Sequence, residues 1–189
     1  MLEKTLEEIY ALNPKTPLYK NKNYFDRKIG NSTYGEMSQA GVEEIIKRFP
    51  TYFNEDTIFY DLGSGLGKVV LHMGLVVLPY KSIGVEYSTS RFNGSLHLKE
   101  MYALENKNIE FHNIPLQEQD VSNATVVYSD NTVFPIEVCK YIYDHIPKNC
   151  LYLFKRLGYK EKEIKETIHK EDGIKSTYLH NHIYWLIKE

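Results

Sequence analysis

The segment of this chain best suited to chemistry is Asp61-Leu62-Gly63-Ser64-Gly65-Leu66-Gly67-Lys68, which follows a short β-branched and aromatic run and opens an apolar helical one. A glycine-rich turn between a strand and a helix is a ligand cradle, because residues without Cβ let the backbone approach a bound molecule closely. Three ligands compete for it. A phosphate-cradling loop needs Gly five residues before its Gly-Lys pair and Ser or Thr after it; those positions are Leu62 and Val69, so Gly67-Lys68 coincides with that motif only by chance. The dinucleotide fingerprint wants Gly at 63, 65 and 68, but position 68 is Lys, and a pyrophosphate would sit close to the Asp61 carboxylate. S-adenosylmethionine has no phosphate. Its ammonium and sulfonium groups are attracted to a carboxylate beside the turn, and an acid followed by alternating glycines is what Asp61, Gly63, Gly65 and Gly67 provide. Glu86, 19 residues beyond Gly67 at the end of the next expected strand, is placed to accept two ribose hydroxyls. Asp61 alone would pass for a turn or cap residue; with the glycines and Glu86 it reads as a cofactor site.

The elements that must position these residues follow from hydrophobic periodicity. Strands are expected over 57–60, 82–85, 109–112, 124–128 and 150–154, several of them continuous apolar runs that suit burial on both faces. Helices are expected over 5–12, around Val42, Ile45, Ile46 and Phe49 up to Pro50, over 68–78, over 89 to about 105, and over 137–146. Strands alternating with helices at this spacing predict right-handed crossovers and a doubly wound, mostly parallel α/β sheet. The tail differs: segments 162–170 and 182–188, joined through Gly173 without a clear helix, predict an antiparallel pair closing the sheet edge.

Composition narrows the class. In 189 residues, 42% hydrophobic and 25% charged with a formal net charge of -2, there is no low-complexity tract and no global basic field to draw the chain to nucleic acid or an anionic membrane. Direct nucleic-acid contact through a local patch stays open, and the basic, aromatic cluster at 20–28 reads first as a solvated loop. No signal-like or membrane-spanning apolar stretch is present, so an intracellular location and no membrane partner are expected. Cys139 and Cys150 have no metal-binding spacing, and the His180 and His182 pair lacks a third ligand nearby, so no metal site is expected.

With these residues in place, a family resemblance emerges. Tyr34-Gly35-Glu36, then an amphipathic helix, then Phe59-Tyr60-Asp61 through Leu71, then Ile83-Gly84-Val85-Glu86 resembles the catalytic domain of the disruptor-of-telomeric-silencing (DOT) histone lysine methyltransferases, over about residues 34–134 and more weakly onward. Asp-Leu-Gly-Ser-Gly is shared by many methyltransferases; the upstream Tyr-Gly-Glu and downstream Gly-Val-Glu carry the family specificity. The resemblance implies a seven-stranded class I (Rossmann-like) sheet whose last strand is antiparallel, formed by residues 34–189 with 1–33 as a helix and loop cover. It implies Tyr34 and Glu36 on a loop folding over the cofactor, and a protein lysine as acceptor, with histone or nucleosome as partner.

The family's Asn-Asn-Phe-x-Phe segment at the end of the fourth strand corresponds here to Asp130-Asn131-Thr132-Val133-Phe134, with Asp for the first Asn and Thr for the first Phe. The resemblance therefore implies Asp130 or Asn131 holding the acceptor nitrogen and Phe134 walling its channel. The family's Asp-Phe pair near the adenine is missing; the nearest match, Asn113-Ile114, makes Asn113 the expected adenine contact. The family's basic nucleosome-binding extension has no counterpart here. Methyl transfer from a sulfonium is mainly a matter of alignment, and a lysine acceptor must be neutral, a state that desolvation and the nearby positive sulfur favour. Two other readings stay open. One is methylation of nucleic acid or a small molecule, against which the absence of a Pro-Pro pair after Asn131 counts. The other is a regulator that binds the cofactor without turnover.

Overall fold

The structure is a computed structural model that describes residues 2–12, 35–104, 107–156, 164–177 and 182–189. Tyr34, the loop over 13–31 with its basic cluster at 20–28, and His180 of the histidine pair lie outside the described residues. Seven strands, β1 (Ile58–Leu62), β2 (Lys81–Val85), β3 (Ile109–His112), β4 (Val126–Ser129), β5 (Leu151–Phe154), β6 (His169–Asp172) and β7 (His182–Ile187), form one sheet in the order β3-β2-β1-β4-β5-β7-β6. The first five run parallel, and β7 lies antiparallel to both β5 and β6.

Parallel strands need crossovers, and helices α3 (Lys68–Val76), α4 (Thr89–Met101) and α5 (Ile136–His145) supply them, while α1 (Leu2–Ala11) and α2 (Gln39–Arg48) precede the sheet. Every residue of β4 and β5 is buried, because both faces are covered. On one face Phe59, Val126, Leu151 and Leu153 pack with Val42 and Ile45 of α2 and Met73 of α3. On the other, Tyr60, Leu62, Ile83 and Val127 pack with Ile142 and Ile146 at the end of α5. A third cluster seats Ile9 of α1 against Leu66, Val70 and Leu71, so α1 packs on α3.

Sequence expectation and structure differ mainly at element ends. Helix α4 stops at Met101 rather than near 105: Ala103 adopts a left-handed φ of 51°, and the Leu104 N–H turns back to the Lys99 carbonyl at 3.0 Å, a C-terminal wrap that closes the helix. Helix α3 stops at Val76, two residues before Leu78 takes a φ of 52°. The first C-terminal strand, expected over 162–170, is His169–Asp172, and residues 161–163 are outside the described set. The preceding segment is held by Glu166, which accepts hydrogen bonds from the Tyr143 hydroxyl and the Glu189 N–H and an ion pair from Lys188. Among the described residues no helix is long and apolar enough to cross a membrane.

The strand order reverses between β1 and β4, since β2 lies on one side of β1 and β4 on the other. In open sheets of this kind, the crevice outside the carboxyl ends of the strands at such a reversal is where ligands bind. Asp61, Glu86 and Asp130 stand at the carboxyl ends of β1, β2 and β4.

Candidate functional site

The glycine turn is built by backbone conformation. Gly63, Gly65 and Gly67 have φ of 89°, 57° and 74°, values that side-chain-bearing residues rarely adopt, and the N–H groups of Gly63 and Ser64 donate to the Val85 carbonyl at 2.8 and 3.0 Å, tying the turn to the end of β2. Space excludes side chains as firmly as φ does. A Cβ on Gly63 would lie 2.5 Å from the Phe134 ring, and one on Gly67 would lie 2.4 Å from Phe111. Phe134 thereby packs directly on the turn.

Three carboxylates gather around this turn. Asp61 and Glu86 are 3% and 7% exposed. Glu86 accepts from the Gly65 N–H at 2.8 Å on one oxygen and the Ser88 N–H at 2.7 Å on the other, and the Tyr87 backbone amide also engages it. Asp130 accepts the Thr132 hydroxyl at 2.7 Å on Oδ1, while its Oδ2 is buried with no hydrogen-bond partner among the described residues. Burial pushes the Asp61 carboxyl far above its usual range, and the charges of Asp130 and Glu86 push it further. Burial also raises Glu86, against the opposing pull of Arg91 and the backbone amides, and raises Asp130, against Thr132 and Lys155. Clustered carboxylates withdrawn from water are costly, and a cationic ligand relieves that cost. The residues present thus fit S-adenosylmethionine: acids for its positive groups, Glu86 for ribose hydroxyls, and a side-chain-free turn beneath it.

The two asparagines have different work. Asn131, 2% exposed, accepts the N–H groups of Lys155 and Arg156 at 3.1 and 2.8 Å and donates to the Arg156 carbonyl at 2.8 Å, so its carboxamide clamps the exit of β5 to the exit of β4. Arg156 then donates to the Phe134 carbonyl at 2.7 Å. Asn113 donates to the carbonyls of Glu86 and Tyr87 and accepts from Thr89, which shapes the rim after β2 and leaves Oδ1 a second lone pair.

Sequence reasoning passed over Lys68. Its ammonium, 3% exposed, pairs with Glu36 Oε2 at 2.8 Å and donates to the Leu12 carbonyl at 2.7 Å. Glu36 lies in a strap, residues 35–38, that bonds the distant segment 175–177: the Glu36 N–H and carbonyl engage Thr177, Met37 bridges Ser176, and the Ser38 N–H donates to the Lys175 carbonyl. Only a contact map would have revealed Lys68, since its partners lie 32 and 56 residues away. One turn on, His72 is fully buried, with Nδ1 3.1 Å from the Tyr10 hydroxyl and Nε2 without a partner among the described residues.

Burial lowers the His72 pKa to about 4, with Glu43 opposing. The unfolded imidazole takes up its proton near 6.5 and the folded one only near 4, so acidification across that window favours the unfolded chain. Relative to a His72→Gln variant, the wild type is expected to lose about 3 kcal/mol of stability between pH 7 and 4. Urea unfolding of both proteins across that range checks this, and a pH-independent difference would contradict it.

The reversal of strand order, the antiparallel β7 and the acid-flanked glycine turn define a class I S-adenosylmethionine-dependent methyltransferase fold. Solved structures share it: an RNA methyltransferase from Salinibacter ruber in complex with S-adenosyl-L-homocysteine (18% identity, 80% of this chain and 92% of that one, TM-score 0.60), an O-methyltransferase from Thermotoga maritima (10%, 80% and 65%, 0.63), and a precorrin-6Y C5,15-methyltransferase from Geobacter metallireducens (10%, 87% and 96%, 0.60). No curated protein sequence matches. Residues 17–150 match the family described as histone methylation protein DOT1, and the chain belongs to that family. Its cofactor is S-adenosylmethionine.

Proposed function

We propose that this protein is a protein-lysine N-methyltransferase of histone type. Family membership supports the histone-type acceptor, and the observation that carries the choice of an amine is the buried Oδ2 of Asp130, unpartnered beside the turn on which Phe134 packs. When bound, S-adenosylmethionine supplies a methyl group on a positively charged sulfur. Asp61 and Glu86 hold its cationic and ribose ends, with Tyr34 and Glu36 assigned to the covering loop. The Phe134 ring narrows the approach and excludes water. Asp130 Oδ2 accepts a hydrogen bond from the acceptor nitrogen. Burial raises the proton affinity of Asp130, and desolvation in the channel together with the positive sulfur favours the neutral amine, so Asp130 orients the acceptor and no strong base is required.

The two departures from the family pattern act together: the Thr132 hydroxyl donates to Asp130 Oδ1, fixing the carboxylate with Oδ2 toward the acceptor. Incubation with labelled S-adenosylmethionine and separate pools of histones, nucleosomes, total protein and RNA tests the reading. Label is expected on lysine in the histone or nucleosome pool. Asp130→Ala is expected to lower turnover by about 10²-fold, with a smaller effect on cofactor affinity than on turnover. Label confined to RNA would overturn the lysine acceptor, and tight cofactor binding without turnover in any pool would leave a regulator.

A further inference from the structure

The position of Lys68 is a poor one for an ammonium on stability grounds. It is the first residue of α3, where the helix dipole disfavours positive charge, and it is nearly solvent-free. A buried ion pair seldom outperforms well-packed apolar residues of the same volume, so its value lies in what it holds in register. Lys68 holds three segments that share no local structure: Leu12 at the end of α1, Glu36 in the strap, and the exit of the glycine turn. The outer side of the strap is fixed by residues 175–177. Helix α1 is fixed by Ile9 in the apolar cluster and by Tyr10 on His72. The Tyr10 hydroxyl has both Glu36 and Asp61 among its charged neighbours, which brings the last turn of α1 within electrostatic reach of the cofactor acid.

We propose that Lys68 is the positioning residue that couples cofactor binding to the docking of α1. It sets the separation between strap and glycine turn and, through its second bond, requires Leu12 to be in place for that separation to hold. By linkage, a cofactor that needs the strap closed on the turn stabilises the docked helix, and the docked helix tightens the cofactor to the same degree. The inference concerns the cofactor alone and survives if the lysine acceptor proves wrong.

Hydrogen exchange of the full chain with and without S-adenosyl-L-homocysteine reads the coupling directly. In the wild type the ligand is expected to slow exchange at amides in 5–12 and 35–38 at least tenfold. Lys68→Met is expected to weaken ligand binding at least tenfold and to abolish the response of 5–12, and Lys68→Arg, which keeps charge and multiple donors, to restore both. Lys68→Gln, neutral but still able to donate to one partner, provides the measurement should the Met variant fail to fold. Wild-type affinity in the Met or Gln variant, or exchange in α1 that ignores the ligand in the wild type, would overturn the proposal. So would weakened affinity with the α1 response intact, because Lys68 would then be acting on the ligand without involving the helix.

Discussion

Replacing Asp61 by Asn is expected to weaken S-adenosylmethionine binding by about 10²- to 10³-fold while raising the melting temperature of the cofactor-free protein by about 2–4 °C. Both effects come from one arrangement. The Asp61 carboxyl is buried at the end of β1 with Asp130 and Glu86 as its charged neighbours. A carboxyl whose folded pKa lies above its unfolded value contributes stability at low pH that is lost as pH rises through the folded value. The cofactor-free wild type should therefore fall behind Asp61→Asn by about 1 kcal/mol or more at neutral pH, and the gap should widen as pH rises. The bound state reverses the preference, because a cationic ligand holds Asp61 ionised. Binding should accordingly release a proton, visible as a dependence of the calorimetric heat on the buffer's ionisation enthalpy. A variant less stable than wild type, or one that binds the cofactor normally, would remove the electrostatic account of the site.

The second large effect is on folding. Asn131→Ala is expected to cost about 4 kcal/mol, a drop of roughly 10 °C or more in melting temperature, because it strands two backbone N–H groups and one carbonyl at the buried junction of β4 and β5. Asn131→Asp keeps an acceptor but loses the donor to the Arg156 carbonyl and buries a charge, so it should rescue little. Urea unfolding monitored by circular dichroism decides it. If Asn131→Ala folded as well as wild type and lost only turnover, the residue would belong with Asp130 at the acceptor rather than beneath it.

These two residues mark where sequence stops being informative. Asp61, the glycines and Glu86 were legible because strand, turn and helix are consecutive, so residue type and spacing already fix their geometry. The parallel sheet was legible for the same reason, from apolar runs separated by helical periods. Asn131 resembles a turn residue after a strand, and nothing local shows that its partners are Lys155 and Arg156, 24 and 25 residues on. Phe134 against Gly63 spans 71 positions, and Lys68 against Glu36 spans 32; the first contact exists because the sheet brings strand ends together, the second because the strap packs over the start of α3. Local rules do explain why α4 ends at Met101, but the left-handed Ala103 that ends it is a conformation that alanine seldom signals.

The strap at 35–38 has a consequence for how the protein comes into being. Its backbone hydrogen bonds run to residues 175–177, which are made long after the glycine turn and the first parallel strands, whereas the Lys68 that pairs with Glu36 follows it by only 32 residues. The nascent chain can assemble the floor of the pocket early, with Lys68 on Glu36, but it can tether the backbone of the strap only once residues 175–177 have been made. A product that ends before residue 175 would therefore carry the Asp61 turn and Lys68 and still lack the backbone anchor of the strap.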